Sequence, residues 1–101
     1  MKKLYFVFLF FTSALVFAQQ QHTGDIDGLK IYPNPVTNGK VFISTPLNAP
    51  KKILILDVLG TQVLETTLLG TELNLYTLEP GIYVIRVFEK DKMATRKLIV
   101  K

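Results

Sequence analysis

The first eighteen residues combine a short basic start with one long apolar run. Lys2 and Lys3 precede an almost uninterrupted apolar stretch over residues 4–17, and the chain turns polar after Ala18. This order is typical of a secretory signal peptide. The apolar run is about 14 residues long, whereas a membrane span needs roughly 20, so a cleavable signal is favoured over an anchor. We therefore predict a signal peptide at 1–18, exported by the Sec translocon and cut by signal peptidase between Ala18 and Gln19.

From residue 29 onward, hydrophobic and polar positions form short runs separated by proline, glycine, asparagine and aspartate. This spacing of turn signals is typical of a β-sandwich or a barrel, and no periodic stretch beyond the signal peptide favours a helix. The fold class is therefore all-β. The pattern predicts seven strands, at residues 29–32, 40–45, 52–57, 61–68, 71–75, 82–89 and 93–100.

The alternation within the runs predicts which strands are central. Residues 53–56 and 82–88 are apolar at positions of both parities, which is typical of strands covered on two faces. Their outer faces would form an apolar strip that either meets a partner or is covered by neighbouring side chains. In the second strand Val41, Ile43 and Thr45 share one face, and we expect that face to line the core.

The turns have residues suited to them. The sequence Pro33-Asn34-Pro35 blocks helix formation and removes two backbone donors. Asp57 is expected to cap a tight turn in which Gly60 takes the left-handed conformation. Pro80 and Gly81 suit a type II turn, with positive φ at the glycine. Tyr32 and Tyr83 lie in strands, and we expect both rings in the core.

The domain organisation follows from the same pattern. Residues 19–28 are polar and contain glycines, so we predict a flexible linker there. The remaining residues, 29–101, can form one small domain. Since the chain has no cysteine, disulfides cannot supplement a core of this size, and apolar burial must stabilise it.

The charge and the reactive residues argue against several functions. Removal of Lys2 and Lys3 with the signal peptide leaves ten basic and eight acidic residues, a net charge of +2, and their scatter gives no nucleic-acid footprint. The single histidine, His22, lies in the predicted linker, so no nucleophile and base pair or zinc ligand set can form. Asp25 and Asp27 are too few for a calcium loop. We expect no catalytic residue, metal, cofactor or small-molecule substrate.

Four short motifs follow one another along the predicted domain, and their combination is more specific than any one of them. They are Tyr32-Pro33-Asn34-Pro35, then Asp57 with Gly60 and Val63, then Pro80-Gly81-Ile82-Tyr83, and finally Lys97-Leu98-Ile99-Val100-Lys101. In order and spacing the chain from Leu29 to Lys101 resembles the type A C-terminal sorting domain of the type IX secretion system, the Por secretion system of Bacteroidetes.

The resemblance implies a seven-stranded immunoglobulin-like antiparallel β-sandwich that has no catalytic activity and serves as an export signal. A protein with this domain crosses the periplasm and is taken through the outer membrane by a translocon that recognises the domain. A sortase-like peptidase often removes the domain, and the product reaches the cell surface or the medium. The segments that the resemblance connects with recognition are Gly81 to Tyr83 and Lys97 to Lys101.

Several alternatives remain open. The chain could be a small secreted binding or adhesion module of immunoglobulin or fibronectin type III shape, which would use the outward apolar strips; an enzyme is disfavoured by the residue inventory. The last strand could be read by β-augmentation or held in a receptor groove. Only ten residues separate the predicted signal peptide from the domain, so the chain is expected to be a secreted protein in its own right, a fragment without its cargo, or a product whose leader is the cargo.

Overall fold

The computed structural model describes residues 24–101, which are all-β. The predicted signal peptide with its cleavage position, the first half of the predicted linker (residues 19–23) and His22 lie outside the described residues. The seven predicted strands are confirmed, and no strand end differs from its prediction by more than one residue. The strands are β1 Lys30–Tyr32, β2 Lys40–Ser44, β3 Lys51–Asp57, β4 Gln62–Leu68, β5 Glu72–Asn74, β6 Gly81–Glu89 and β7 Lys92–Val100.

The strands form two antiparallel sheets. One sheet has the order β1-β2-β5, and the other has the order β4-β3-β6-β7. As predicted, β3 and β6 are the central strands of the larger sheet, and they pair from Lys52 opposite Phe88 to Asp57 opposite Tyr83. A strand with a neighbour on each side gains most from β-branched and aliphatic residues on both faces, which explains their composition.

The core lies between the two sheets. Its fully buried members come from alternate positions of the strands, as the pleat of a β-strand requires. They include Val41, Ile43, Ile53, Ile55, Ile85, Val87 and Leu98. Burying one such side chain contributes about 1.5–3 kcal/mol, so these residues are the main source of stability in a domain without disulfides. The predicted core face of β2 is confirmed.

The segment before β1 differs from the predicted linker at residues 24–28. Ile26 is only 4% exposed and belongs to the core cluster. The Met93 amide donates to the Gly24 carbonyl at 3.1 Å, and Arg96 forms an ion pair with Asp25 at 3.2 Å. These contacts fasten the segment to β7. One apolar residue in a polar stretch has no periodicity, so the sequence pattern could not reveal this packing.

Candidate recognition surface at the C-terminal strand

The outer edge of β7 is covered by the segment Asn34 to Val36. The Asn34 side chain donates from Nδ2 to the Lys97 carbonyl at 2.8 Å and accepts at Oδ1 from the Ile99 amide at 3.0 Å. The Val36 amide then donates to the Ile99 carbonyl at 2.7 Å, and the Lys101 amide donates to the Val36 carbonyl at 2.8 Å. The segment therefore satisfies the edge of β7 as a short parallel strand would.

This arrangement explains the residues of the first motif. Pro33 and Pro35 have no backbone N–H, so they end the pairing of β1. Asn34 has a donor and an acceptor on one side-chain amide, which lets it bridge two backbone groups of β7. Tyr32 does not occupy the core as predicted. It is half-exposed, and its ring stacks on Phe42 with the ring centroids 5.6 Å apart, because the short strand β1 lies at the rim of its sheet.

The second motif builds the turn between β3 and β4. Asp57 Oδ1 accepts hydrogen bonds from the amides of Leu59 and Thr61, both at 2.9 Å. Gly60 has a φ of 85°, so the predicted cap and the left-handed glycine are confirmed. Val63 lies where the register with β3 shifts, between the pairs Ile55–Leu64 and Leu56–Gln62. It is therefore outside the core and partly exposed.

The third motif connects the loop before β6 with the strand itself. The Tyr83 hydroxyl donates to the Glu79 carbonyl at 2.6 Å, and the Tyr83 ring is buried as predicted. The expected positive φ at Gly81 is wrong, since Gly81 is the first residue of β6 and pairs with Val100. Strand pairing, rather than the turn, determines its backbone conformation.

The last motif is buried on one side and exposed on the other. Leu98 and Val100 face the core, Ile99 is half-buried, and Lys97 and Lys101 are exposed. The structure bears on the hypothesis that this strand receives an added strand at its edge. The edge from Lys97 to Lys101 is already occupied by Asn34 to Val36, so β-augmentation would require that segment to leave.

All four motifs meet at one end of the larger sheet, which we call the C-terminal end. There Asp57 lies opposite Tyr83, Gly81 lies opposite Val100, and Val36 bridges to Val100. An open depression of about 360 Å³ lies beside them, lined by Asp57, Val63, Thr77, Leu78, Glu79 and Tyr83. Residues that are up to about 65 positions apart in sequence, such as Asn34 and Ile99, thus build one surface.

The opposite end of the same sheet has a buried ion pair that the sequence analysis missed. Lys51 and Glu89 are 1% and 3% exposed, with Nζ and Oε2 3.2 Å apart. Glu89 Oε2 also accepts from the Thr45 hydroxyl at 2.6 Å and from the Ala49 amide at 3.1 Å, and Lys51 donates to the Ala49 carbonyl at 2.8 Å. Strand parity was the available signal, since Lys51 shares its face with Ile53 and Ile55.

The buried ion pair between Lys51 and Glu89 stabilises the fold. Burial disfavours the charged form of Glu89, but the hydrogen bonds from Thr45, Lys51 and Ala49 outweigh this effect and hold the pKa of Glu89 below its ordinary value. No buried side-chain nitrogen or oxygen in residues 24–101 lacks a hydrogen-bond partner. The network therefore fastens the loop before β3 to the end of β6.

The acidic residues of the described part do not assemble a metal centre. Within residues 24–101 no group of three or more His, Asp or Glu side chains is placed to hold an ion. Asp25 instead accepts from Arg96 and from the Ile26 amide, which lower the pKa of its carboxyl group. The same part of the chain contains no helix with the length and hydropathy of a membrane span.

The fold and this surface define a small β-sandwich whose motif residues close turns and cover a strand edge. The family model described as "Secretion system C-terminal sorting domain" matches residues 30–101, and the chain belongs to this family of type IX secretion sorting domains. A comparison with curated protein sequences finds no match.

A solved structure provides a further likeness. It is that of PorZ, described as an essential bacterial surface component of the type-IX secretion system of Porphyromonas gingivalis. The TM-score is 0.58 at 22% identity, over 76% of this chain and 12% of the PorZ chain. At this identity the likeness supports the two-sheet fold alone, and the chain spans only a small part of the PorZ length.

Proposed function

We propose that this chain carries a non-catalytic export signal, which directs it across the outer membrane by the type IX secretion system. The family match over residues 30–101 carries the proposal. The convergence of the four motifs on the C-terminal end of the larger sheet supports it, because a recognition signal needs one continuous surface. In this proposal the domain is an immunoglobulin-like β-sandwich, and the chain comes from a member of the Bacteroidetes.

Under this proposal two targeting signals act in sequence, one for each membrane. The predicted signal peptide directs the chain through the Sec translocon, and signal peptidase cuts between Ala18 and Gln19. The folded domain then passes through the periplasm and is recognised by the outer-membrane translocon, which delivers the chain to the cell surface or the medium. A sortase-like peptidase is the expected processing enzyme. No nucleic acid or small-molecule substrate takes part.

A reporter fusion tests the proposal. A reporter enzyme is inserted between Gln20 and Gln21 of the full chain and expressed in a bacterium with a functional type IX system. We expect the reporter at the surface or in the medium, and in the periplasm when the translocon is deleted. Residues 1–20 followed by the reporter alone are the matched control and should stay periplasmic. Delivery that does not depend on the translocon would contradict the proposal.

A second candidate function is a small secreted binding or adhesion module. The observation that favours it is the pair of exposed aliphatic side chains Val58 and Leu59 on the turn between β3 and β4. Saturable binding of the purified chain to a ligand outside the secretion machinery would support this function. This second function would replace the first proposal only if the reporter fusion also showed no delivery that depends on the translocon.

A further inference from the structure

Exposed hydrophobic side chains lie at both ends of the larger sheet, and at the C-terminal end two of them are adjacent, in the turn between β3 and β4. Val58 and Leu59 are 71% and 87% exposed. Ile82, the second residue of β6, is 50% exposed. Two adjacent exposed aliphatic residues at a turn tip are unfavourable for solubility, where polar turn residues are usual. Such a group therefore indicates an interaction surface.

The outer face of the sheet extends this group. Since Ile55, Tyr83, Ile85 and Leu98 face the core, their strand neighbours point outward. The register places Leu56 beside Val84 and Ile82 beside Ile99. We use the name C-terminal apolar patch for the six residues Leu56, Val58, Leu59, Ile82, Val84 and Ile99.

The patch is held in place before any partner arrives. The turn that presents Val58 and Leu59 is fixed by the two hydrogen bonds to Asp57 Oδ1 and by the bond from the Gly60 amide to the Asp57 carbonyl at 3.0 Å. The remaining members lie on paired strands. A preorganised surface loses little conformational entropy on binding, which favours recognition.

The charges around the patch indicate the chemistry of its partner. Lys97 lies beside Val84, and Arg86 follows Val84 on the same face of β6. Neither cation forms an ion pair within residues 24–101. The carboxylate of Glu65 on the same outer face is engaged by Lys52 at 3.3 Å and by Gln62 at 2.9 Å. On the outer face of the sheet, the border of the apolar patch thus has two cations that form no ion pair within the described residues.

We infer that the C-terminal apolar patch docks on a protein surface of the outer-membrane secretion machinery that is apolar at its centre and carries carboxylates at its border. This inference rests on the proposed function and names the face that the machinery contacts. A second copy of the chain fits less well, because Lys97 and Arg86 would face their own kind. A lipid surface also fits less well, because the patch has no tyrosine or tryptophan of the kind that anchors proteins at membrane interfaces.

The full-chain reporter fusion provides the test. In Val58→Ser/Leu59→Ser, surface delivery is expected to fall at least about tenfold, as when two central aliphatic residues of an interface are truncated. The matched control is Leu47→Ser/Leu69→Ser, which changes two aliphatic residues that are 61% and 78% exposed and lie in loops towards the other end of the sheet. Its delivery should equal that of the unchanged fusion.

Two further variants test the charged border. Lys97→Glu should reduce delivery, whereas Lys30→Glu on β1 of the other sheet should not. Val58→Ile/Leu59→Met, which keeps the patch apolar, should be delivered as well as the unchanged fusion. The purified serine variants should unfold at the same denaturant concentration as the unchanged chain, so that a folding defect is not mistaken for a docking defect.

The outcomes separate this inference from the proposed function. If the unchanged fusion stays periplasmic, the proposed function fails and the inference fails with it. If the unchanged fusion is delivered and Val58→Ser/Leu59→Ser is delivered equally, the inference alone is overturned. Equal loss in the two serine pairs also overturns it, as does patch-dependent sedimentation of the purified chain with phosphatidylglycerol vesicles, which would assign the patch to lipid.

Discussion

The two ends of the four-stranded sheet differ in how they stabilise the loop or turn that lies there. At one end, the Lys51–Glu89 end, a complete ion pair is buried beneath the loop that leads into β3. At the C-terminal end, the turn after β3 exposes Val58 and Leu59 to solvent. The same strand, β3, begins at the first end and finishes at the second, so the contrast cannot be explained by different sheets.

The two ends provide hydrogen-bond partners for their backbone amides and carbonyls in different ways. The amide and the carbonyl of Ala49 find partners in the side chains of Glu89 and Lys51, which reach them from the strand ends. The turn at the C-terminal end satisfies its amides with the carboxylate of its own Asp57. Side chains at positions 58 and 59 are therefore not needed for structure and are free to be apolar.

The largest expected effect comes from breaking the ion pair. Lys51→Met leaves the Glu89 carboxylate buried without its cation, and we expect a loss of about 3–5 kcal/mol in the free energy of unfolding. The double variant Lys51→Met/Glu89→Gln should recover much of the loss, because the introduced amide oxygen still accepts from Thr45 and Ala49. Urea denaturation followed by circular dichroism measures both. Equal stability of Lys51→Met and the unchanged chain would show that the buried charge is not structural.

A smaller loss of unfolding free energy is expected when Ile26, which packs over the Lys51–Glu89 end, is truncated. Ile26 lines a depression there together with Pro46 and Leu47, and Ile26→Ala should cost about 2 kcal/mol of unfolding free energy. The matched control is Ile82→Ala, which truncates the same residue type at the C-terminal end. Because Ile82 is half-exposed, its loss should be clearly smaller, and a loss equal to that of Ile26→Ala would remove the contrast between the two ends.

The next largest loss of unfolding free energy is expected from Asn34, which covers the edge of β7. Asn34→Ala removes one donor and one acceptor from the edge, and we expect a loss of about 1–2 kcal/mol. Amide hydrogen exchange should accelerate at Ile99, whereas the central amide of Ile55 keeps its protection. Asn34→Asp still accepts from Ile99 but no longer donates to Lys97, so Ile99 should stay partly protected. Unchanged exchange at Ile99 in the alanine variant would argue against the hydrogen bonds seen here.

The strands and their arrangement around the core were predictable because they follow from local periodicity. Alternation of two is a property of each strand by itself, and residues such as Asp57 and Gly60 mark a turn without reference to the rest of the chain. The central position of β3 and β6 was predictable for the same reason, since apolar residues at positions of both parities are typical of strands in the middle of a sheet, where the side chains of two flanking strands partly cover the outer face.

The contacts between distant segments were not predictable. The sequence around Asn34 predicts only a turn that blocks helix formation, because the bonds of Asn34 to Lys97 and Ile99 depend on where β7 ends in space. The ion pair of Lys51 with Glu89 could have been suspected from strand parity, but parity does not show that two inward charges meet. Ile26 had no pattern around it. In each case the partner lies in another strand, and the sequence contains no periodic trace of the pairing.

The smallest effect concerns the exposed ion pair between Asp25 and Arg96, which holds residues 24–28 on β7. The hydrogen bond from Arg96, then that from the Ile26 amide, lower the pKa of Asp25 from its ordinary value of 3.8. Because the pKa is lower in the folded state, the stabilisation is complete above the ordinary value and disappears as the pH falls through the folded value. Asp25→Asn should therefore be slightly less stable than the unchanged chain at pH 7, and the two unfolding curves should converge in acid. Added salt should narrow the gap at pH 7, since exposed charges are screened. A gap that is constant from pH 7 to acid would contradict this prediction, because the introduced amide oxygen can still accept from the Ile26 amide and the substitution removes only the charge.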